Sequence, residues 1–443
     1  MPENAAALPF AITTRTYVAP PCVPEDTTTP RFTTSAGTEY VRTPDGAFEG
    51  LPDWPYQPQY AEVEGMRMHY VDEGPADAQE AILLLHGQPS WSYLYRKMIP
   101  VLVGRGLRTI AMDHLGMGRS DKPTSLAEHT YLKQVARLKA FIRAALPDFA
   151  NASAPRLNIF VQDWGSLIGL RVVAEESQWF RRVVIANGNL MTYPPGENPM
   201  RPFVAVNASY NCADSRNTMQ LFQQRTAASP CGADLRCFNV WLNYALTCPA
   251  FSPQELMTLA TARQAGLTPA EAAAYGAPYP TRTHMAAVRT FPSMVTGEYD
   301  NAPAWAALQR FERPVLCLAG DRDQGLGALA VQTNLIDNIA GAKAHSFDHY
   351  RYPEASHFIQ EDVGADLATR TADFIEGTLV SATGTSTTDL VPTLTVVGVV
   401  FGLIALALVA EVVGRCRGKA ARPTAKAEDA ASSASTTSAA AAA

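Results

Sequence analysis

Short apolar runs alternate with amphipathic stretches through the middle of the chain. The runs at 68–71, 81–85, 109–112, 157–161, 183–186 and 315–319 have the length of strands buried on both faces. Between them, residues 131–146 and 167–176 repeat apolar positions at helical spacing. Strands alternating with helices predict a mostly parallel sheet covered on both sides, an α/β architecture. The alternation stops between about 191 and 294, where Asn, Gln, Ala and Cys are frequent and segments 253–264 and 269–275 read as helices. A helical cap is therefore expected at 191–294, inserted between a first core part at 56–190 and a second at 295–380.

The two ends follow other patterns. Residues 1–55 are rich in Thr, Pro and Ala, show no period, and are expected to form a poorly ordered lead-in. Glu3 and the lack of an early basic cluster argue against an ordinary signal peptide. After a Ser/Thr-rich linker at 381–390, residues 394–410 are apolar apart from Thr395, and Val412 and Val413 extend the run. At ~1.5 Å per residue such a helix crosses a hydrocarbon core of ~30 Å. Residues 391–413 are accordingly expected as a single transmembrane helix, followed by a low-complexity tail at 414–443. Arg415, Arg417 and Lys419 follow the span, which places the tail in the cytoplasm and the main domain in a lumen or outside the cell. A missing signal peptide would instead suit a tail-anchored protein facing the cytosol. The lumenal or extracellular side is the expectation carried forward.

Composition sets limits on function. With 443 residues, 47% hydrophobic and 18% charged, the chain can bury a large core. Its net charge of −6 disfavours nucleic acid as a partner. Among 7 cysteines, Cys212, Cys231, Cys237 and Cys248 crowd together. They would form two disulfides in an oxidising compartment or stay as four reduced thiols. No Cys/His set has metal-ligand spacing, so no metal is expected. The triplets Asn151-Ala152-Ser153 and Asn207-Ala208-Ser209 fit the N-glycosylation pattern.

Candidate chemistry gathers where strands end. The run 157–161 leads directly into Gln162-Asp163-Trp164-Gly165-Ser166 and then a helix, the frame of a nucleophile elbow. Asp163 holds the central position where many hydrolases carry Ser, and no G-x-S-x-G occurs in the chain. A carboxylate there attacks carbon bearing a leaving group and forms an alkyl ester. The plain alternative is a helix N-cap. Downstream, the run 315–319 ends in Gly320-Asp321-Arg322-Asp323, and His357 follows the last expected strand. Nucleophile, acid and histidine in that order match the α/β-hydrolase arrangement, with His357 as base and one of the two acids holding its ring. The run 81–85 ends in His86-Gly87-Gln88-Pro89, which puts the backbone N–H groups of Gln88 and Trp164 in position for an oxyanion hole.

Together the segments HGQPSWSYLYRKMIP (86–100), DHLGMGRSDKP (113–123), VQDWG (161–165) and LTPAEAAAYGAPYP (267–280) resemble the haloalkane dehalogenases over about 43–378. They are most similar to the subfamily whose acid follows the seventh strand and whose halide is held by two tryptophans. The resemblance implies Asp163 as nucleophile, His357 as base and Asp323, rather than Asp321, as acid. It implies Trp164 and Trp241 as halide-holding tryptophans and Phe238 as a pocket wall. An indole N–H is only a donor, so two of them suit an anion. Gln88 departs from the family pattern, which has Glu or Asn there, and would offer the halide a neutral donor. The cap is also longer before Trp241, from about 207 to 236. The implied reaction needs a small halogenated substrate and water, with no cofactor or metal.

Two other functions fit parts of this pattern. An epoxide hydrolase would share the fold and the Asp–His pair and would use cap tyrosines, for which Tyr210, Tyr244 and Tyr275 are available. A catalytically inactive, membrane-tethered binding protein would not need the complete Asp163–Asp323–His357 set. His345, Asp348 and His349 are close in sequence but fit no ligand pattern and are read as surface.

Overall fold

The computed structural model describes residues 28–379, apart from 155, 193–240, 243, 264–265, 298, 324 and 345–348. All six expected strands form, and two more join them. We number the eight strands of the main sheet β1 (Gln59–Val63), β2 (Met66–Glu73), β3 (Ala81–Leu85), β4 (Arg108–Met112), β5 (Leu157–Val161), β6 (Phe180–Ala186), β7 (Val315–Gly320) and β8 (Tyr350–Tyr352). Their order is β8-β7-β6-β5-β3-β4-β2-β1. Strands β3 to β8 pair in parallel, while β2 pairs antiparallel with β4 and β1 antiparallel with β2. Glu64 and Gly65, both at positive φ, turn β1 into β2 as a two-residue hairpin.

Every residue of β3, β5 and β7 is buried, as a sheet covered on both faces requires. Alternate side chains feed two cores. Leu83, Leu85, Ile159, Val161 and Ile185 pack with the helices Tyr131–Ala145 and Trp164–Glu175 on one face. Ile82, Leu84, Phe160, Val184 and Leu316 pack with the helices Ile99–Gly104 and Ile359–Glu376 on the other. This is the α/β-hydrolase architecture in outline. Between β6 and β7 the described residues contain helices and no strand, as the inserted cap requires. The expected helix 253–264 stops at Leu259, while Thr268 and Glu271 form a reciprocal capping box that starts the next helix at Pro269.

The lead-in is more ordered than expected. Arg31–Thr33 and Glu39–Val41 pair as strands, and the latter also pairs with Lys122–Pro123. Arg42 grips the buried Asp121 with two charge-assisted hydrogen bonds, at 2.7 and 2.8 Å. Phe48 and Trp54 are buried against Trp91. These anchors lie far away in sequence, so no local period betrays them.

Among the described residues no helix is long and apolar enough to cross a membrane. The expected span at 391–413, with its linker and tail, lies outside those residues, as do Phe238, Tyr210, Cys212, Cys231 and Cys237. Cys248 is buried and disulfide-bonded.

Candidate active site

The carboxyl ends of β3, β5, β7 and β8 converge, next to the point where the strand order reverses between β3 and β5. Asp163 sits between β5 and the helix Trp164–Glu175 at φ +50, ψ −127, a strained backbone for any residue but glycine. Its side chain makes no cap hydrogen bond, which removes the N-cap alternative. Instead, Oδ1 accepts the Gln88 backbone N–H at 2.7 Å and Oδ2 lies 3.5 Å from His357 Nε2. The elbow permits this closeness through two glycines. A Cβ on Gly165 would fall 2.2 Å from the Leu85 carbonyl oxygen, and one on Gly87 would fall 2.1 Å from Asp163 Oδ1. Ser166 Oγ ties the turn down by donating to the Asp163 carbonyl.

The two acids after β7 separate clearly. Asp323 is buried and meets His357 Nδ1 at 2.9 Å, while its two oxygens also accept the Gly325 and Gly327 N–H groups. Asp321 is 44% exposed and pairs with Arg351 at 2.5 Å. Burial pushes the Asp323 carboxyl up, but His357 and the two amides outweigh it and hold the group below its ordinary value. An ionised carboxylate only accepts, so the His357 Nδ1 carries a proton and points it at Asp323. Burial opposes a charge on His357, yet Asp323 and Asp163 overcome it and raise its pKa to about 10. With both carboxylates ionised, the imidazole is thus held protonated between them.

Beneath the Gln88 loop lies a buried polar cluster that the sequence did not single out. His86 Nδ1 bonds the Gly87 carbonyl at 2.9 Å, and the His114 N–H donates to His86 Nε2 at 3.1 Å. These partners fix the His86 ring as a neutral Nδ1–H tautomer, and burial lowers its pKa. Asp113 accepts the Ser92 and Arg119 N–H groups and pairs with His69 at 2.7 Å. The loop that presents the Gln88 amide is therefore braced from below.

Asn187, at the end of β6, is a second residue the sequence reading missed. Its carbonyl accepts the Asp163 N–H at 3.1 Å, and its Oδ1 accepts the Gly320 N–H at 2.8 Å. Its Nδ2 donates to the Ser356 and His357 carbonyls at 2.8 and 3.0 Å. One buried amide thus touches the nucleophile turn, the acid loop and the histidine loop. Its φ of +42, which Asn tolerates better than most residues, was the only available hint and needs coordinates to see.

The remaining expected residues are placed as follows. Trp164 is the first residue of the elbow helix, is buried, and meets Phe291 edge-on at 5.8 Å. Trp241 is half-buried, packs against the same apolar cluster as Trp164, and lies beside Tyr244 and Phe251. The Gln88 side chain uses one N–H on the Val288 carbonyl of the cap at 2.8 Å, which leaves its second N–H for other work. Tyr275 is fully buried, with its hydroxyl on Glu361, and the Tyr244 hydroxyl is directed at the Ala250 carbonyl. Tyr275 is thus engaged away from the nucleophile and is not placed as an epoxide hydrolase would need. His349, expected at the surface, is half-buried and braces the Cys317 N–H and the Ala342 carbonyl, while His345 and Asp348 lie outside the described residues.

Comparison with known proteins agrees with the fold. A family model described as the alpha/beta hydrolase fold matches residues 80–211. The chain is 38% identical over 343 residues to a haloalkane dehalogenase of Mycobacterium marinum, covering 75% of this chain and 98% of that protein. It is 33% identical over 347 residues to one of Psychrobacter cryohalolentis, covering 76% and 97%. Among solved structures, the tetrameric haloalkane dehalogenase DpaA from Paraglaciecola agarilytica superposes with a TM-score of 0.53 at 26% identity, covering 75% of this chain and 97% of that one.

Proposed function

The chain belongs to the haloalkane dehalogenase family of α/β-hydrolases, and from that premise we propose that Asp163, His357 and Asp323 hydrolyse carbon–halogen bonds of haloalkanes to an alcohol and halide. The observation that carries the proposal is the divided environment of the Asp163 carboxylate, with Oδ1 on a backbone amide and Oδ2 facing a histidine.

In the first step a carboxylate oxygen of Asp163 attacks the sp3 carbon in line, forming a C–O bond as the C–X bond breaks and its electron pair leaves with the halide. Trp164 and Trp241, with the free N–H of Gln88, would receive the halide, and Phe238 would wall the pocket. Esterification removes the negative charge of Asp163, and with it one of the influences that raise the His357 pKa. The base therefore becomes easier to deprotonate once it is needed. His357 Nε2 then takes a proton from water, whose oxygen attacks the ester carbonyl carbon. Negative charge develops on Oδ1 and is stabilised by the Gln88 N–H and by the Trp164 N–H, which lies in the first turn of its helix, where amides lack intrahelical acceptors. Collapse releases the alcohol, with a proton from His357, and restores the carboxylate. The sum is haloalkane plus water giving alcohol, halide and a proton.

Membrane attachment through 391–413 belongs to the same proposal, with the catalytic domain on the lumenal or extracellular side. The apolar run with basic residues after it and the disulfide-bonded Cys248 support this. Flotation with lipid vesicles that survives alkaline carbonate, and disappears when the chain ends at 380, is the expected behaviour. A full chain that stays in the soluble fraction refutes the anchor.

The test of the activity compares the full chain, purified in detergent, with Asp163→Asn. Each receives short bromoalkanes and styrene oxide. Halide release by the wild type alone supports the proposal. Diol formation without halide release would favour an epoxide hydrolase, and a folded wild type silent with both would favour the inactive binding protein.

A further inference from the structure

Asp362 lies outside the triad, in the first turn of the helix Ile359–Glu376. Its two carboxylate oxygens serve different parts of the molecule. Oδ2 accepts the N–H of Ser356, the residue before His357, at 2.7 Å. Oδ1 accepts the N–H of Ala262 at 2.8 Å, in the cap segment that joins the helices Pro253–Leu259 and Pro269–Gly276. The Phe358 N–H also reaches the Ala260 carbonyl, at 3.4 Å. The chain on either side of the base is thus bonded to the cap.

The carboxylate has little freedom to leave this position. Its neighbour Glu361 is held by Arg96 and Lys97 of the core, both at 2.9 Å, and by Arg263 of the cap at 3.4 Å. Glu271 of the cap joins the same ionic group through Arg96 at 2.7 Å. Just beyond Asp362 the helix breaks its regular path at Val363, at φ −135 and ψ 29, so its first turn is set by these contacts and not by the rest of the helix. On the far side, Gln162 and Asn187 hold the His357 carbonyl at 3.1 and 3.0 Å. The Ser356 N–H is the tether on the near side.

We propose that Asp362 is a positioning residue: its bridge between the Ser356 and Ala262 amides makes the placement of His357 depend on a seated cap. The inference rests on the proposed roles of Asp163 and His357. Alkylation of Asp163 does not need His357 as a base, whereas hydrolysis of the ester does. Loss of the bridge should therefore slow the second step selectively, which a general loss of stability would not do.

The experiment follows halide and alcohol by rapid quench in the full chain with a short bromoalkane, and follows the alkylated protein by intact mass. In Asp362→Asn the new NH2 group faces backbone N–H donors in place of an accepting oxygen, so one arm of the bridge is lost. Expected are a burst of one halide per active site at a rate within about threefold of wild type, alcohol formation slowed tenfold or more, and ester accumulating on the protein. The His357 Nδ1–H proton resonance should also shift. Ala262→Pro deletes the 2.8 Å cap donor and leaves the neighbouring Arg263 N–H beside Asp362, at a position two residues past the helix C-cap where Pro is common. It should slow alcohol formation without slowing the burst, and it tests the proposal even if Asp362→Asn does not fold. Unchanged alcohol formation in either folded variant, or an equal fall in both steps, overturns the proposal. A wild type that releases no halide instead removes the activity itself, and this inference with it.

Discussion

The backbone N–H of Gln88 donates to Asp163 Oδ1 at 2.7 Å, which makes the two oxygens of one carboxylate inequivalent. The tethered oxygen is the one on which charge would build during ester hydrolysis, and its partner faces His357. Charge stabilisation is thus in place before any substrate arrives.

If His357 acts only on the ester, His357→Gln will be alkylated once and stop. One halide per protein should appear, with the mass increased by the alkyl group and alcohol formation falling by ~10³-fold or more. Continued turnover of bromoalkane would remove His357 from the mechanism.

The close approach at Gly87 gives a second expectation. Gly87→Ala places a methyl 2.1 Å from Asp163 Oδ1, so the loop must shift and carry the Gln88 amide with it. The protein should fold, as judged by circular dichroism, and lose ~10²-fold or more of its dehalogenation rate, the usual scale for one oxyanion donor. A rate within twofold of wild type contradicts this placement.

Ionisation of His357 should show in stability. Its pKa rises from 6.5 to about 10 on folding, so the stabilisation is fully present below 6.5 and is lost as pH rises through about 10. Asp163→Asn removes one of the two carboxylates responsible. The stability of the wild type relative to this variant, from urea unfolding, should therefore fall between pH 7 and pH 10. A difference that stays flat across that range contradicts the charged pair.

Asn187→Ala would remove the side-chain partner of the Gly320 N–H and the Ser356 carbonyl, while the His357 carbonyl keeps Gln162. At ~1–3 kcal/mol per buried unsatisfied group, urea unfolding should register a loss of at least ~2 kcal/mol. Turnover should fall further than stability alone explains, because three site loops lose a shared contact. A loss below 0.5 kcal/mol in that urea measurement would mean these bonds contribute little.

The sequence by itself determined the α/β alternation, the break in it after β6 and the order of Asp163, Asp323 and His357. Those features are local. A fully apolar five-residue strand, a strand–Asp–Trp–Gly turn and an acid loop each declare themselves within a few residues. The ordered part of the lead-in did not, because Arg42, Phe48 and Trp54 depend on Asp121 and Trp91. Strand β1 was missed for a different reason: only one of its faces is apolar, and Glu64-Gly65 is a weak turn signal. Tertiary structure supplied the geometric reason for Asp323 over Asp321, took Tyr275 out of the site, and brought Asn187 and Asp362 to the loops around the nucleophile and base. The physical reason is common to all of these. A polar side chain takes its role from the donors and acceptors that burial leaves it, and those partners come from chain segments far apart in sequence.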